Sequence, residues 1–108
     1  MSQIALNPNE LTLIREILRT YVPECEVRAF GSRVRGVVHE SSDLDLVVMT
    51  AAPLDILRLA DLREAFSESD LPFRVDVLDW AETSEGFRRI IEQVNEVIRE
   101  ADEAVPIK

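Results

Sequence analysis

At 108 residues and 46% apolar content the chain can bury one core but not two. Its formal charge of −9 opposes general binding to nucleic acid or to an anionic membrane surface, both of which call for basic patches. A single cysteine, Cys25, excludes an internal disulfide, and the apolar runs fall far short of the ~20 residues that cross a bilayer. The expectation is one cytoplasmic domain over residues 1–108, with no direct nucleic-acid or membrane binding.

Asn7-Pro8-Asn9-Glu10 opens the first element, with Asn7 as N-cap, Pro8 in the first turn and Glu10 completing a capping box. Leu11, Ile14, Leu18 and Tyr21 recur at helical spacing, which predicts a helix from Pro8 to Tyr21, stopped before Pro23. Residues 24–30 alternate polar with apolar and read as the first strand, 32–36 as about one helical turn, and 37–42 as a connection carrying an exposed His39. In the second strand, 43–49, Leu44, Leu46 and Val48 share one face while Asp43, Asp45, Val47 and Met49 share the other. A second long helix runs from Pro53 through Phe66. A third strand, 73–78, turns Asp76 away from Phe73, Val75 and Val77. Thr83 and Ser84 precede a last helix with Phe87, Ile90, Val94, Val97 and Ala101 at spacings of three and four.

This order predicts an α+β (α/β sandwich) fold, a small mixed sheet with all three long helices on the face of Leu44, Leu46, Phe73, Val75 and Val77. The opposite face would stay open, with Val47, Met49 and Leu78 exposed beside the acids as an interaction surface.

Asp43 and Asp45 carry the chemistry of that face. Two carboxylates so close raise each other's pKa unless a cation lies between them, and a divalent ion is the natural filler. The Gly31-Ser32 turn opens a short helix whose first N–H groups lack partners, an arrangement that suits phosphate. Gly31 permits close approach to the main chain, and the Ser32 hydroxyl can cap or donate. Arg33 and Arg35 flank the turn and either can neutralise phosphate, Arg35 the better candidate and Arg33 reading more as part of a surface turn. Asp76 completes a three-carboxylate set if the second and third strands are neighbours, and Asp79, at the strand end, reads as a turn residue.

Gly31-Ser32, Arg35-Gly36 and Ser42-Asp43-Leu44-Asp45-Leu46 together resemble the Gly-Ser and Asp-x-Asp signature of polymerase-beta-like nucleotidyltransferases. More closely, the chain is similar to the minimal nucleotidyltransferase (MNT) proteins, from the leading helix to Phe87-Arg88-Arg89-Ile90-Ile91. The resemblance implies the polymerase-beta-like fold and transfer of a nucleotidyl group, most simply AMP from ATP, to a hydroxyl of a partner protein. It implies two Mg2+ ions on Asp43 and Asp45, with Asp76 on the ion that activates the hydroxyl, and terminal phosphates at Gly31, Ser32 and Arg35. The implied partner is a helical HEPN-type toxin, which makes this chain the antitoxin of the pair. The competing reading is a non-catalytic antitoxin that neutralises the toxin by binding alone.

Overall fold

The computed structural model describes residues 4–36 and 42–102, so His39 and most of the connection before the second strand lie outside the described residues. Helix α1, Pro8–Tyr21, has the bounds its capping signals predict. Asn7 Oδ1 accepts from the Glu10 N–H at 2.8 Å, and Glu10 Oε1 accepts from the Asn7 N–H at 3.0 Å. The chain continues through β1 (Glu26–Phe30), α2 (Ser32–Arg35), β2 (Leu44–Met49), α3 (Ile56–Ser67) and β3 (Val75–Asp79). A short 3-10 turn (Trp80–Glu82), α4 (Glu85–Gln93) and β4 (Glu96–Arg99) complete it. Helix α3 starts later than expected because Asp55, not a residue near Pro53, caps it, accepting from the N–H groups of Leu57 and Arg58.

The sheet order is β3-β2-β1-β4. Strands β2 and β3 run parallel and the other pairs antiparallel, which makes the sheet mixed, as expected. Helices α1 and α3 pack Ile14, Leu18, Leu62 and Phe66 on one face against Val27, Ala29, Leu44, Leu46, Val48 and Val77. Each large side chain so buried contributes about 1.5–3 kcal/mol, enough for this layer to fix the sheet that carries the acids.

Two expectations fail at the C-terminal end. The spacing of Phe87, Ile90, Val94, Val97 and Ala101 fits one long helix, but α4 ends at Gln93 and the chain turns back as a fourth strand. Asn95 closes the helix by donating its side-chain amide to the Ile91 carbonyl at 3.0 Å. Beyond it, Ile98 points into the main core while Val97 points out, and β4 covers an edge of β1 that would otherwise be bare.

The second failure is the place of α4. It lies on the opposite face from α1 and α3, where Ile91 packs on Phe30 and Val47 with Met49, Leu78 and Trp80 around them. Val47 is therefore fully buried, and Met49 and Leu78 are half-covered packing residues instead of an exposed docking surface. The cause is α4 itself: its apolar side chains need a partner, and this was the unoccupied face of the sheet.

Candidate active site

The parallel pairing of β2 with β3 sets Asp45 directly opposite Asp76. In the same ladder Asp79 lies opposite Val48, at the far end of the strand from Asp45. Asp43 precedes β2 and is exposed. Across β1, Phe30 is the register partner of Asp45, and the chain turns at Gly31 immediately afterwards. Gly31 has φ 82° and ψ −158°, a region almost reserved for glycine. A Cβ there would fall 2.3 Å from Asp45 Oδ2. The glycine thus permits the turn and also leaves room for the carboxylate. Gly31 rather than Ser32 holds the N-cap position of α2, so the Ser32 hydroxyl is not spent on capping.

Arg33 departs from its expectation as a surface residue: it is buried. Its Nε donates to the Ser42 carbonyl at 2.9 Å, its Nη1 to the Ala5 carbonyl at 2.6 Å, and its guanidinium lies 4.0 Å over the Phe73 ring. It ties the Gly-Ser turn to the N-terminal segment, to the entry of β2 and to the entry of β3. Arg35, by contrast, is exposed and lines a cleft with Gly31 and Asp45.

Asp79 is also no simple turn residue. It is buried, and its carboxylate accepts from Thr50 Oγ1, from the Leu54 N–H at 2.7 Å and from the Ala81 N–H at 3.1 Å. It pins the β2–α3 crossover to the end of β3.

The electrostatics of the acidic end are unbalanced. Burial, then the negative charges of Asp76 and Asp43, push the Asp45 pKa above the usual carboxylate range, while Arg35 and Arg74 oppose the rise. Arg74, which the sequence reading passed over, places both Nε and Nη2 3.0 Å from Asp76 Oδ1. Its position two residues before Asp76 was the available signal, since i and i+2 share a strand face. Among the described residues no three acidic, histidine or cysteine side chains stand gathered around one point as a ready ion cage. The donor set itself fits Mg2+: carboxylate oxygens are hard ligands, and a desolvated acid beside two others is short of positive charge. Asp43, Asp45 and Asp76 are the residues that would hold it.

Two clefts meet at Asp45, with Phe30 and Phe87 bordering both and their rings edge to face at 5.8 Å. On the β3 side a cleft of about 680 Å³ is lined by Asp76, Arg74, Arg63, Ser67 and Leu78. On the α4 side one of about 290 Å³ is lined by Gly31, Arg35, Ile90, Gln93 and Val94. The arrangement offers a paired-acid centre with a separate approach from each side.

The family described as Polymerase beta, Nucleotidyltransferase matches residues 7–104. The chain is 51% identical, over 104 residues, to the Haemophilus influenzae protein named "Probable protein adenylyltransferase MntA", covering 96% of this chain and 91% of that one. A solved toxin–antitoxin structure with AMP-PNP superposes with a TM-score of 0.71 at 25% identity, covering 84% of this chain and 73% of that chain. A MntA-HpeT toxin–antitoxin structure, carrying a tyrosine-to-alanine substitution, gives a TM-score of 0.69 at 26% identity, over 90% of this chain and 75% of that chain.

Proposed function

Because this chain belongs to the polymerase beta nucleotidyltransferase family, and to its minimal MNT branch, we propose that it transfers AMP from ATP to a hydroxyl of a partner toxin. The observation that carries this reading is the Asp45–Asp76 register pair, open to a cleft on each side and backed by a glycine turn that only glycine can make. The similarity to a named adenylyltransferase and to toxin–antitoxin assemblies, one of them with an ATP analogue, supports the donor and the class of partner. By the family resemblance that partner is a HEPN-type helical protein.

In the proposed reaction the acceptor oxygen attacks the α-phosphorus of ATP. A new P–O bond forms, the bond to the β-phosphate oxygen breaks, and pyrophosphate leaves with its electron pair. The hydroxyl proton passes to a carboxylate of the acidic end and on to water. Mg2+ held by Asp43, Asp45 and Asp76 would supply the positive charge that the pentacoordinate phosphorus and the leaving oxygen require. In this reading the chain's own residues bind and orient: Gly31 and Arg35, which line the α4-side cleft, would hold the phosphates together with Ser32, and the β3-side cleft would admit the acceptor.

The test is mass spectrometry of a co-expressed neighbouring-gene product, after incubation with ATP, Mg2+ and the purified protein. A gain of one or more AMP masses on that product is expected. A stable complex with no gain would replace this reading with an antitoxin that acts by binding alone.

A further inference from the structure

The described residues expose six large apolar side chains to a marked degree, and three of them, Phe87, Ile90 and Val94, border the α4-side cleft. They recur at i, i+3 and i+7, so they form one flank of α4 and its end. That flank overhangs a cavity whose other wall is charged, with Arg35 and Asp45. Gln93, at the end of α4, is exposed and is the one neutral amide among the lining residues. A cavity that is charged at one end, apolar along one wall and edged by an exposed amide suits a ligand with an anionic head and a flat body with a polar rim. Its volume, about 290 Å³, lies at the small end for ligand sites.

Resting on the reading that Asp45 marks the phosphoryl end of the site, we infer that this cleft seats the nucleobase against Phe87, Ile90 and Val94, and that Gln93 reads its edge in favour of adenine. The β3-side cleft is the poorer seat, since Arg63, Arg74, Ser67 and Asp76 make its rim polar and charged. Of the two clefts, the α4-side one joins the apolar wall to the glycine turn and Arg35. An amide sets one donor beside one acceptor. Adenine answers with its N6 amino group beside N7, whereas guanine shows two acceptors, O6 and N7, and would face the amide oxygen with one of them. The side chain is exposed, so the preference is modest, about tenfold for ATP over GTP, at the low end of bidentate base discrimination.

Calorimetry of the intact protein with Mg2+ and each of ATP, GTP, CTP and UTP tests this, with inorganic triphosphate as the probe of the phosphate end alone. The wild type should favour ATP over GTP about tenfold, and Gln93→Ala should bring the two within about twofold. Ile90→Ser, a change at a side chain 60% exposed, should weaken all four nucleotides while leaving inorganic triphosphate unaffected. Equal affinity of the wild type for ATP and GTP, or an unchanged ratio in Gln93→Ala, overturns the base assignment and leaves the transferase reading standing. If Ile90→Ser weakens toxin capture but no nucleotide, the flank is a protein interface and the inference falls. Failure of every nucleotide and of inorganic triphosphate to bind the wild type overturns both readings together.

Discussion

Asp76 and Asp79 sit on the same strand and differ in almost everything else. Asp79 is 4% exposed, and two backbone N–H groups and a hydroxyl satisfy it. The Asp76 side chain is 38% exposed beside a cleft and pairs with a guanidinium that is itself 75% exposed. A carboxylate surrounded by fixed donors is committed to the fold, because removing it strands those donors. One held by a single mobile cation can exchange that cation for another. The same contrast separates Arg33, locked under the Gly-Ser turn, from Arg35, free at the cleft.

The sharpest way to break this contrast is to remove each acid. Asp76→Ala should cut nucleotidyl transfer by at least about a hundredfold, the scale of losing a metal or a preorganised charge at a transfer site. Its stability to urea should stay within about 0.5 kcal/mol of the wild type. Asp79→Ala should do the reverse, costing about 2–4 kcal/mol as the N–H groups of Leu54 and Ala81 lose their acceptor. Equal destabilisation by the two substitutions would erase the distinction between the two acids.

Next in size is Gly31→Ala. The substitution forces a side chain into a backbone region that costs non-glycine residues about 1–3 kcal/mol. It also drives the new methyl into the Asp45 carboxylate. Lower stability and weaker ATP binding should appear together, by urea titration and calorimetry on the same sample. Loss of stability with unchanged ATP affinity would show that the turn supports the fold alone.

Much of this was legible in the sequence. The capping box fixed α1, and the alternation of Leu44, Leu46 and Val48 fixed the buried face of β2, which leaves Asp45 opposite Asp76 in the sheet. What was hidden depends on contacts distant in sequence. Val97 fits a helical repeat after Val94 as well as a strand repeat before Arg99, and only the vacant edge of β1 decides between them. Arg33 and Asp79 look like surface charges until the carbonyl and N–H groups that hold them arrive from Ala5, Ser42, Leu54 and Ala81. Periodicity reports which face a residue takes, not whether a polar group will find partners there.

A smaller effect concerns Asp45, whose raised pKa ties stability to pH. Because the folded state binds its proton more tightly than the unfolded state does, this carboxyl favours folding fully below its ordinary pKa, about 4, and that contribution is lost as pH rises through the raised value. At pH 7, without divalent ions, the ionised group is a liability. Asp45→Asn should therefore melt a few degrees above the wild type there, and the gap should close in acid. A lower melting point for Asp45→Asn at pH 7 would mean that the carboxylate is structurally required, like Asp79.

The smallest expected change tests whether Arg74 holds the place of a cation. Its guanidinium is paired with Asp76 Oδ1, so an ion that binds this carboxylate competes with the pair for its negative charge. An exposed pair of this kind is worth only about 0.2–1 kcal/mol. Arg74→Met keeps most of the side-chain stem while removing the charge. It should therefore bind Mn2+ about two- to fivefold more tightly than the wild type in calorimetry without nucleotide, with Arg74→Lys in between. The advantage should shrink as ionic strength rises, since salt already screens the competing charge. Weaker Mn2+ binding by Arg74→Met would reverse the interpretation. Arg74 would then be a residue that positions Asp76 for the ion, and the open carboxylate of β3 would be as preorganised as the buried one.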